Sequence, residues 1–385
     1  MNPRVLIIQE HLPHYRIGFY RSLKTRLSNL GVDLELVFCP RTAPNILRGQ
    51  LEWALPAPIR WYGKIAWQPV LNRAWGADLV IVQQETKYLA TLPLLLFAMF
   101  GRMKIAMWGH GRNFQSRSPN SISERFKSFL SRRVDWWFAY NDLSARVIEG
   151  LGYPPGRITT VMNSIDTASI RAEAARHGAP ELERFKETLG IRSENIAVYT
   201  GGLYHDKRIP FLLEACRKVR AAAPDFHLIV IGKGPDESLI REAAEREEWI
   251  HFPGSRNDLE KVPYWLVSKV ALMPGAVGLG VIDSFALGVP MITTAYPYHG
   301  PEIDYLVHGS NGIVVADWES PAAYADAVIG LLRDEERRRI MASEASASVS
   351  RYSSEQMAHR FAEGVMRALG ADGARERASH HGTDH

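Results

Sequence analysis

The segment Pro274-Gly-Ala-Val-Gly-Leu-Gly-Val-Ile-Asp-Ser-Phe-Ala-Leu-Gly-Val-Pro290 sets Gly275, Gly278 and Gly280 between an apolar run and a short apolar helical pattern. A strand that feeds a glycine-rich loop and then a helix start presents bare backbone N–H groups, and the helix dipole adds positive potential there. That chemistry suits an anion, a phosphate above all. A second segment, Thr200-Gly-Gly-Leu-Tyr-His-Asp-Lys-Arg208, has Gly201 and Gly202 at a strand end and two cations, Lys207 and Arg208, at a helix start. Cations are disfavoured beside a helix N-terminus. Their presence there points to a ligand of opposite charge, such as a diphosphate; the alternative is a solvated pair. Lys207 would stay with the diphosphate as charge develops during bond cleavage and lower the barrier. Two further strand ends carry Gly232 and Gly234 (Ile231-Gly-Lys-Gly-Pro235) and Gly254 (Phe252-Pro-Gly-Ser255); each alone is no more than a tight turn.

The elements that must position these groups follow from periodicity. Apolar runs at 5–9, 32–39, 79–83, 104–108, 136–140 and 158–162 alternate with helical patterns at 17–30, 121–133 and 143–151. Residues 167–195 are polar and read as a boundary. Strands at 196–200, 226–231, 249–252, 270–273, 291–294 and 312–316 then alternate with helices at 209–223, 236–248, 259–268, 281–287 and 321–333. Two helical patterns close the ordered chain, at 335–350 and 354–369. Glu302 and Asn311-Gly312 read as an ordinary helix and a turn. Strands alternating with helices imply parallel sheets covered on both faces. The fold class is α/β, with two doubly wound Rossmann-like domains, 1–170 and 171–351. A C-terminal helix at about 352–370 is placed to pack back on the first domain, and 371–385 forms a disordered tail.

With 385 residues, 46% of them hydrophobic, the chain can bury two cores. Its net charge of +4 is uneven: residues 1–170 hold 21 Lys and Arg against 11 Asp and Glu, the remainder 25 against 31. A basic first half would face something acidic, such as an anionic leaflet, a diphosphate lipid or nucleic acid, or else only solvent. Cys39 and Cys216 lie far apart and fit a reduced compartment. The first residues lead straight into a strand and lack the pattern of a signal peptide. The most apolar stretch is Leu89–Phe100, and the fourteen residues between Lys87 and Arg102 that contain it would reach only about 21 Å as a helix, against a hydrocarbon core of about 30 Å. It reads as a buried helix. In Leu51–Trp75, four tryptophans alternate with Arg60, Lys64 and Arg73; a membrane interface, an acceptor groove, stacked nucleobases and core packing all remain open.

These motifs resemble the donor-binding domain of glycosyltransferase family 4, enzymes of the GT-B fold, over roughly residues 196–333. The resemblance implies two domains facing across a cleft. The family's Gly-Arg-Leu motif with a following lysine stands here as Gly201-Gly202-Leu203 and Lys207, so the lysine is kept and the arginine lost; Arg208 is a candidate replacement for its charge. The family's Glu-x7-Glu signature falls on Gly275 and Asp283. Asp283 keeps a carboxylate for the ribose hydroxyls, whereas Gly275 offers only backbone, with the N–H groups of Val277 and Gly278 and the neighbouring Leu279 beside it. The resemblance thus assigns donor binding to Gly201, Gly202, Arg208, Gly232, Gly234, Gly254, Gly275, Val277, Gly278, Leu279 and Asp283, with Lys207, Asp283 and His110 as the catalytic group.

His110 lies in Trp108-Gly-His-Gly-Arg-Asn113 at a strand end of the first half, where a core-filling role is a poor explanation. Glu10, Tyr15, Arg16, Arg112 and Asn113 are the acceptor-side candidates; Tyr15 and Arg16 alternatively cap the first helix. No Asp-x-Asp triad and no His/Cys cluster outside the tail suggests a metal site, so neither metal nor cofactor is expected. The implied activity is retaining transfer of a sugar from a nucleotide-diphosphate sugar to a hydroxyl of a glycan or polyprenyl-diphosphate-linked glycan, in cell-surface polysaccharide synthesis. The expected setting is cytoplasmic, with peripheral contact to an anionic membrane and no nucleic acid partner. Two alternatives keep the fold: a non-catalytic nucleotide-sugar-binding subunit and a sugar-nucleotide epimerase. A phosphorylase would need a pyridoxal lysine site that the sequence does not offer.

Overall fold

The computed structural model of the chain describes residues 2–40, 51–85, 87–112, 114 and 132–370. The helical pattern at 121–133, all but its last two residues, and the tail at 371–385 lie outside them. The chain divides into two compact units, one running to Asn163 and taking up the chain again from Ser354, the other Ser164–Ser353.

In the first unit the strands are β1 (Arg4–Ile8), β2 (Asp33–Phe38), β3 (Leu55–Pro56), β4 (Arg60–Tyr62), β5 (Ile65–Trp67), β6 (Leu79–Gln83), β7 (Lys104–Gly109), β8 (Trp136–Ala139) and β9 (Ile158–Thr160). Seven form a parallel sheet in the order β3-β2-β1-β6-β7-β8-β9, and β4 and β5 make a separate antiparallel hairpin. The central strands are buried along both faces, as continuous Val/Ile/Leu runs require. The helix Ser354–Gly370 packs on helix Ile17–Asn29 and β9, its Phe361 ring stacked 4.1 Å from Phe138.

In the second unit β10 (Ile196–Thr200), β11 (His227–Ile231), β12 (Ile250–Gly254), β13 (Val270–Met273), β14 (Met291–Thr294) and β15 (Gly312–Val315) form a six-stranded parallel sheet, ordered β12-β11-β10-β13-β14-β15. The chain runs outward from β10 to β12, then returns to the other side of β10 as β13. Strand order therefore reverses between β10 and β13, where ligands of doubly wound sheets bind.

Two readings need correction. The boundary falls at 163/164 rather than 170/171, because the polar stretch contains helix Thr167–Ala174, which packs on helix Gly280–Leu287 of the second unit. Its start is capped by Asp166, whose carboxylate accepts the Ser169 amide at 3.0 Å. The apolar stretch at 89–100 is helix Thr91–Met99, but only Thr91, Leu94 and Leu95 on it are buried. Among the described residues no helix is long and apolar enough to cross a membrane.

Candidate functional site

The loop after β13 is pressed against the turn that holds Lys207. A Cβ on Gly275 would lie 2.6 Å from the Lys207 carbonyl carbon and closer still to the Asp206 carbonyl oxygen. No side chain fits there, which explains glycine at the position where the family resemblance leads one to expect glutamate. The Ala276 amide donates to the same Asp206 carbonyl at 2.7 Å. Thr293 and Thr294 of β14 hold the loop from behind, donating to the Met273 and Pro274 carbonyls at 2.7 and 2.8 Å. Across the switch point, Gly232 is equally constrained: a Cβ would overlap the Gly201 carbonyl oxygen.

Lys207 is buried, and its ammonium donates to the Ala276 carbonyl with the Met273 sulfur at 3.9 Å. Burial lowers its pKa to about 8, against the pull of Glu302 and Asp206, whose negative charges favour the ammonium. Glu302, read from sequence as part of an ordinary helix, is buried in the one-turn helix Pro301–Tyr305 and acts electrostatically on the lysine. Tyr296 donates to Asp206 at 3.0 Å. His299 accepts the Val277 amide on Nδ1 at 2.9 Å and lies 2.8 Å from the Thr294 carbonyl through Nε2. Because the amide must donate, Nε2 carries the proton, and burial holds this neutral ring at a pKa of about 4. The Val277 N–H expected for a ligand is therefore occupied. Among the described residues, the amides of Gly278, Leu279 and Gly280 at the start of helix Gly280–Leu287 have no protein acceptor.

Arg208 is held by protein groups: its guanidinium donates to the Trp318 carbonyl at 2.6 Å and to the Pro274 carbonyl at 3.4 Å, and lies 4.0 Å from the Phe211 ring centre. Its backbone is left-handed at φ 57°, which sends the side chain toward those partners as the helix Ile209–Ala222 begins.

Asp283 sits in the first turn of helix Gly280–Leu287, buried, with one carboxylate oxygen 2.7 Å from the Lys261 ammonium and the other without a hydrogen-bond partner. Burial pushes its pKa up against the pull of Lys261. Burial also disfavours the Lys261 ammonium, but Asp283 and Asp258 outweigh that and hold it above the usual value. The pair lines a pocket of about 380 Å³ together with Thr200, Gly201, Gly202, Ile231, Gly232, Lys233, Ser255, Arg256 and Gly280. Of the other expected residues, Gly275, Val277, Gly278 and Leu279 form the adjoining loop, Gly254 precedes Ser255, and Gly234 is packed against Leu203. Lys261, Glu302 and His299 were missed. The one available signal was that His299-Gly-Pro-Glu302 also follows a strand end, that of β14.

In the first unit the expected residues separate. His110 lies with its ring 4.2 Å from that of Tyr140, on a loop clamped by Gln84, whose amide both donates to and accepts from the Gly111 backbone at 2.8 Å. Arg16 is not an acceptor contact. It is buried, donates to Asn163 and to the Met357 sulfur, and lies between the rings of Tyr15, Phe19, Trp108 and Tyr140, 5.3 Å from that of Trp108. Nor does its side chain cap the first helix. Glu10 accepts from Tyr88 and from Lys87, the latter at 3.0 Å. Burial raises its pKa, but those two donors outweigh that and hold it below the usual value. Arg112 is exposed over Phe114, and Asn113 lies outside the described residues. Replacing Arg16 by Ala is expected to cost about 2–4 kcal/mol, from the cavity and the abandoned acceptors. Chemical denaturation would show the loss, with nucleotide affinity unchanged; a fully stable variant would contradict this structural role.

Among the described residues, no three His, Cys, Asp or Glu side chains are grouped to hold a metal ion. Residues 194–334 match the family described as Glycosyl transferases group 1. Curated relatives include a D-inositol 3-phosphate glycosyltransferase of Corynebacterium urealyticum, 28% identical over 57% of this chain and 53% of that protein. Another is an alpha-D-kanosaminyltransferase of Streptomyces kanamyceticus, 24% identical over 80% of this chain and 75% of that one. The chain spans about half the length of the first relatives it matches. Among solved structures, Anabaena Alr3699/HepE in complex with UDP superposes with a TM-score of 0.74 at 14% identity, covering 94% of this chain and 99% of that one. That likeness is one of fold.

Proposed function

We propose that the chain, whose residues 194–334 match the group 1 glycosyltransferase family and whose fold is GT-B, is a retaining hexosyltransferase using a nucleoside-diphosphate sugar. The observation that carries this reading is Asp283, which lines a pocket at the switch point of the second unit and has one buried carboxylate oxygen without a partner. A buried acceptor without a donor is costly. A ribose hydroxyl supplies that donor, and the bare amides of Gly278 to Gly280 then meet the diphosphate at the helix start. Lys207 stabilises the departing diphosphate, so the site's own residues supply the positive charge that leaving requires. Uridine is the favoured base, since the structures this chain resembles in fold include a UDP complex. The acceptor is a hydroxyl of a glycan or lipid-linked glycan, and the basic excess of residues 1–170 suits an anionic membrane surface.

Thermal-shift measurement with UDP, GDP, ADP and dTDP sugars tests the reading. One class should raise the midpoint by mass action and release nucleoside diphosphate when a glycan acceptor is present. Binding without release in any acceptor pool would favour a non-catalytic subunit, and turnover of the sugar nucleotide without acceptor an epimerase. The pH profile adds a second check. Lys207 carries its charge below about 8, so nucleoside diphosphate affinity should be highest there and fall as pH rises through that value. Glu302→Gln removes an anion that favours the ammonium, so the fall should begin at lower pH. Calorimetric titration at a series of pH values would read this, and an affinity that ignored pH across the window would contradict it.

A further inference from the structure

We propose that the face of the first unit formed by helix Thr91–Met99, Trp75 and the β4–β5 hairpin docks on the surface of an anionic lipid bilayer. The inference rests on the preceding reading only in giving a lipid-linked acceptor its place. The helix turns Leu94 and Leu95 into the core and leaves Leu92, Leu96, Met99 and the following Phe100 outside. Spacings of four, seven and eight residues put these four on one stripe, about 100° wide. Leu96 is 52% exposed, Met99 63% and Phe100 78%. Beside them Trp75, 60% exposed, meets Phe97 edge-on at 5.6 Å. The hairpin is tied to the start of the helix, the Leu89 amide donating to the Ala66 carbonyl at 2.9 Å, and it adds exposed Tyr62 and Ile65 on one side and Trp61 on the other. An apolar surface of this extent marks an interaction site.

Charge chooses the occupant. Residues 60–75 and 87–104 contain no Asp or Glu, but hold Arg60, Lys64, Arg73, Lys87, Arg102 and Lys104. Lys104 is committed to the Ala368 and Leu369 carbonyls, and Lys87 to Glu10 and Glu85. Arg102 lies 5.8 Å from the Trp75 ring centre, a cation and an aromatic at one edge of the apolar stripe. Apolar side chains with aromatics at the rim and cations around them match acyl chains, the interface and anionic headgroups in turn. A nine-residue helix reaches about 14 Å, so it lies in the interface and does not cross.

Flotation of the full chain with phosphatidylcholine vesicles, with and without phosphatidylglycerol, tests the surface. The protein should float with the anionic vesicles and be largely released by high salt. Leu96→Ser with Phe100→Ser should weaken partitioning at least about tenfold. Arg73→Gln with Arg102→Gln should weaken it about 25-fold, roughly fivefold for each cation, and flatten the salt dependence. Both double variants should keep the wild-type melting midpoint and UDP affinity, so loss of vesicle binding reads this surface alone. Failure of the glycosyltransferase reading would instead appear as absent nucleotide binding in protein that still floats. No flotation with anionic vesicles, equal flotation by the variants, or a dimer in sedimentation that Phe100→Ser dissociates would overturn the proposal.

Discussion

Replacing Lys207 by methionine is expected to lower turnover by about 10²–10³-fold and to raise stability at the same time. The two effects share one cause. Lys207 is buried, and its pKa is about 8 in the fold against an ordinary lysine value near 10.4. The folded state therefore binds fewer protons than the unfolded chain between those two values, and stability rises with pH across that window. Below about pH 8 both states carry the proton, and the fold bears the full cost of the buried charge, roughly 3 kcal/mol. Methionine removes the charge and keeps most of the volume. It loses the hydrogen bond to the Ala276 carbonyl, so the net gain at neutral pH should be about 1–2 kcal/mol. Denaturant unfolding and nucleoside diphosphate release would measure the pair. A variant that lost both activity and stability would make Lys207 a structural residue.

Introducing the glutamate that the family resemblance leads one to expect, by Gly275→Glu, should destroy the site rather than improve it. The new Cβ would stand 2.6 Å from the Lys207 carbonyl carbon, with the Asp206 carbonyl oxygen nearer still. Backbone, not a flexible side chain, is in the way, so the loop must part from the turn that holds Lys207. We expect a loss of more than about 4 kcal/mol, at the severe end for single substitutions, and little folded protein. Gly275→Ala should already cost several kcal/mol. Gly278→Ala is the control, because a Cβ there meets nothing within 4 Å. Folded, stable Gly275→Glu protein would show that this packing does not hold.

Legibility followed burial and locality. Strands β6, β10, β13 and β14 stand where the apolar runs predicted, because a buried parallel strand is a short apolar run stopped by glycine, proline or a polar residue. Helices Thr167–Ala174 and Ala179–Thr188 were read as a boundary, since most of their surface faces solvent and their composition is polar. The helix at Thr91–Met99 is apolar all round, so its pattern could not show which side would stay uncovered. The site was legible where chemistry is local, as in the glycine loops and Lys207. It was not legible where chemistry is assembled at a distance. Lys261 meets Asp283 across 22 residues and Glu302 acts on Lys207 across 95, and neither pairing leaves a local trace. Arg16 misled for a related reason: a cation near a strand end suggests an anion, whereas here aromatic rings and Asn163 surround it.

The central claim is that the switch-point pocket of the second unit, lined by Asp283 and adjoining the loop that covers Lys207, receives a nucleoside diphosphate. Calorimetric titration of UDP into the full chain and into Asp283→Ala and Lys207→Met tests it most directly. The account predicts saturable one-to-one binding to the unaltered protein, at least about tenfold weaker binding to Asp283→Ala through the lost ribose contact, and a comparable loss with Lys207→Met. Affinity equal in all three proteins, or no binding of UDP, GDP, ADP or dTDP to the unaltered chain, would contradict it.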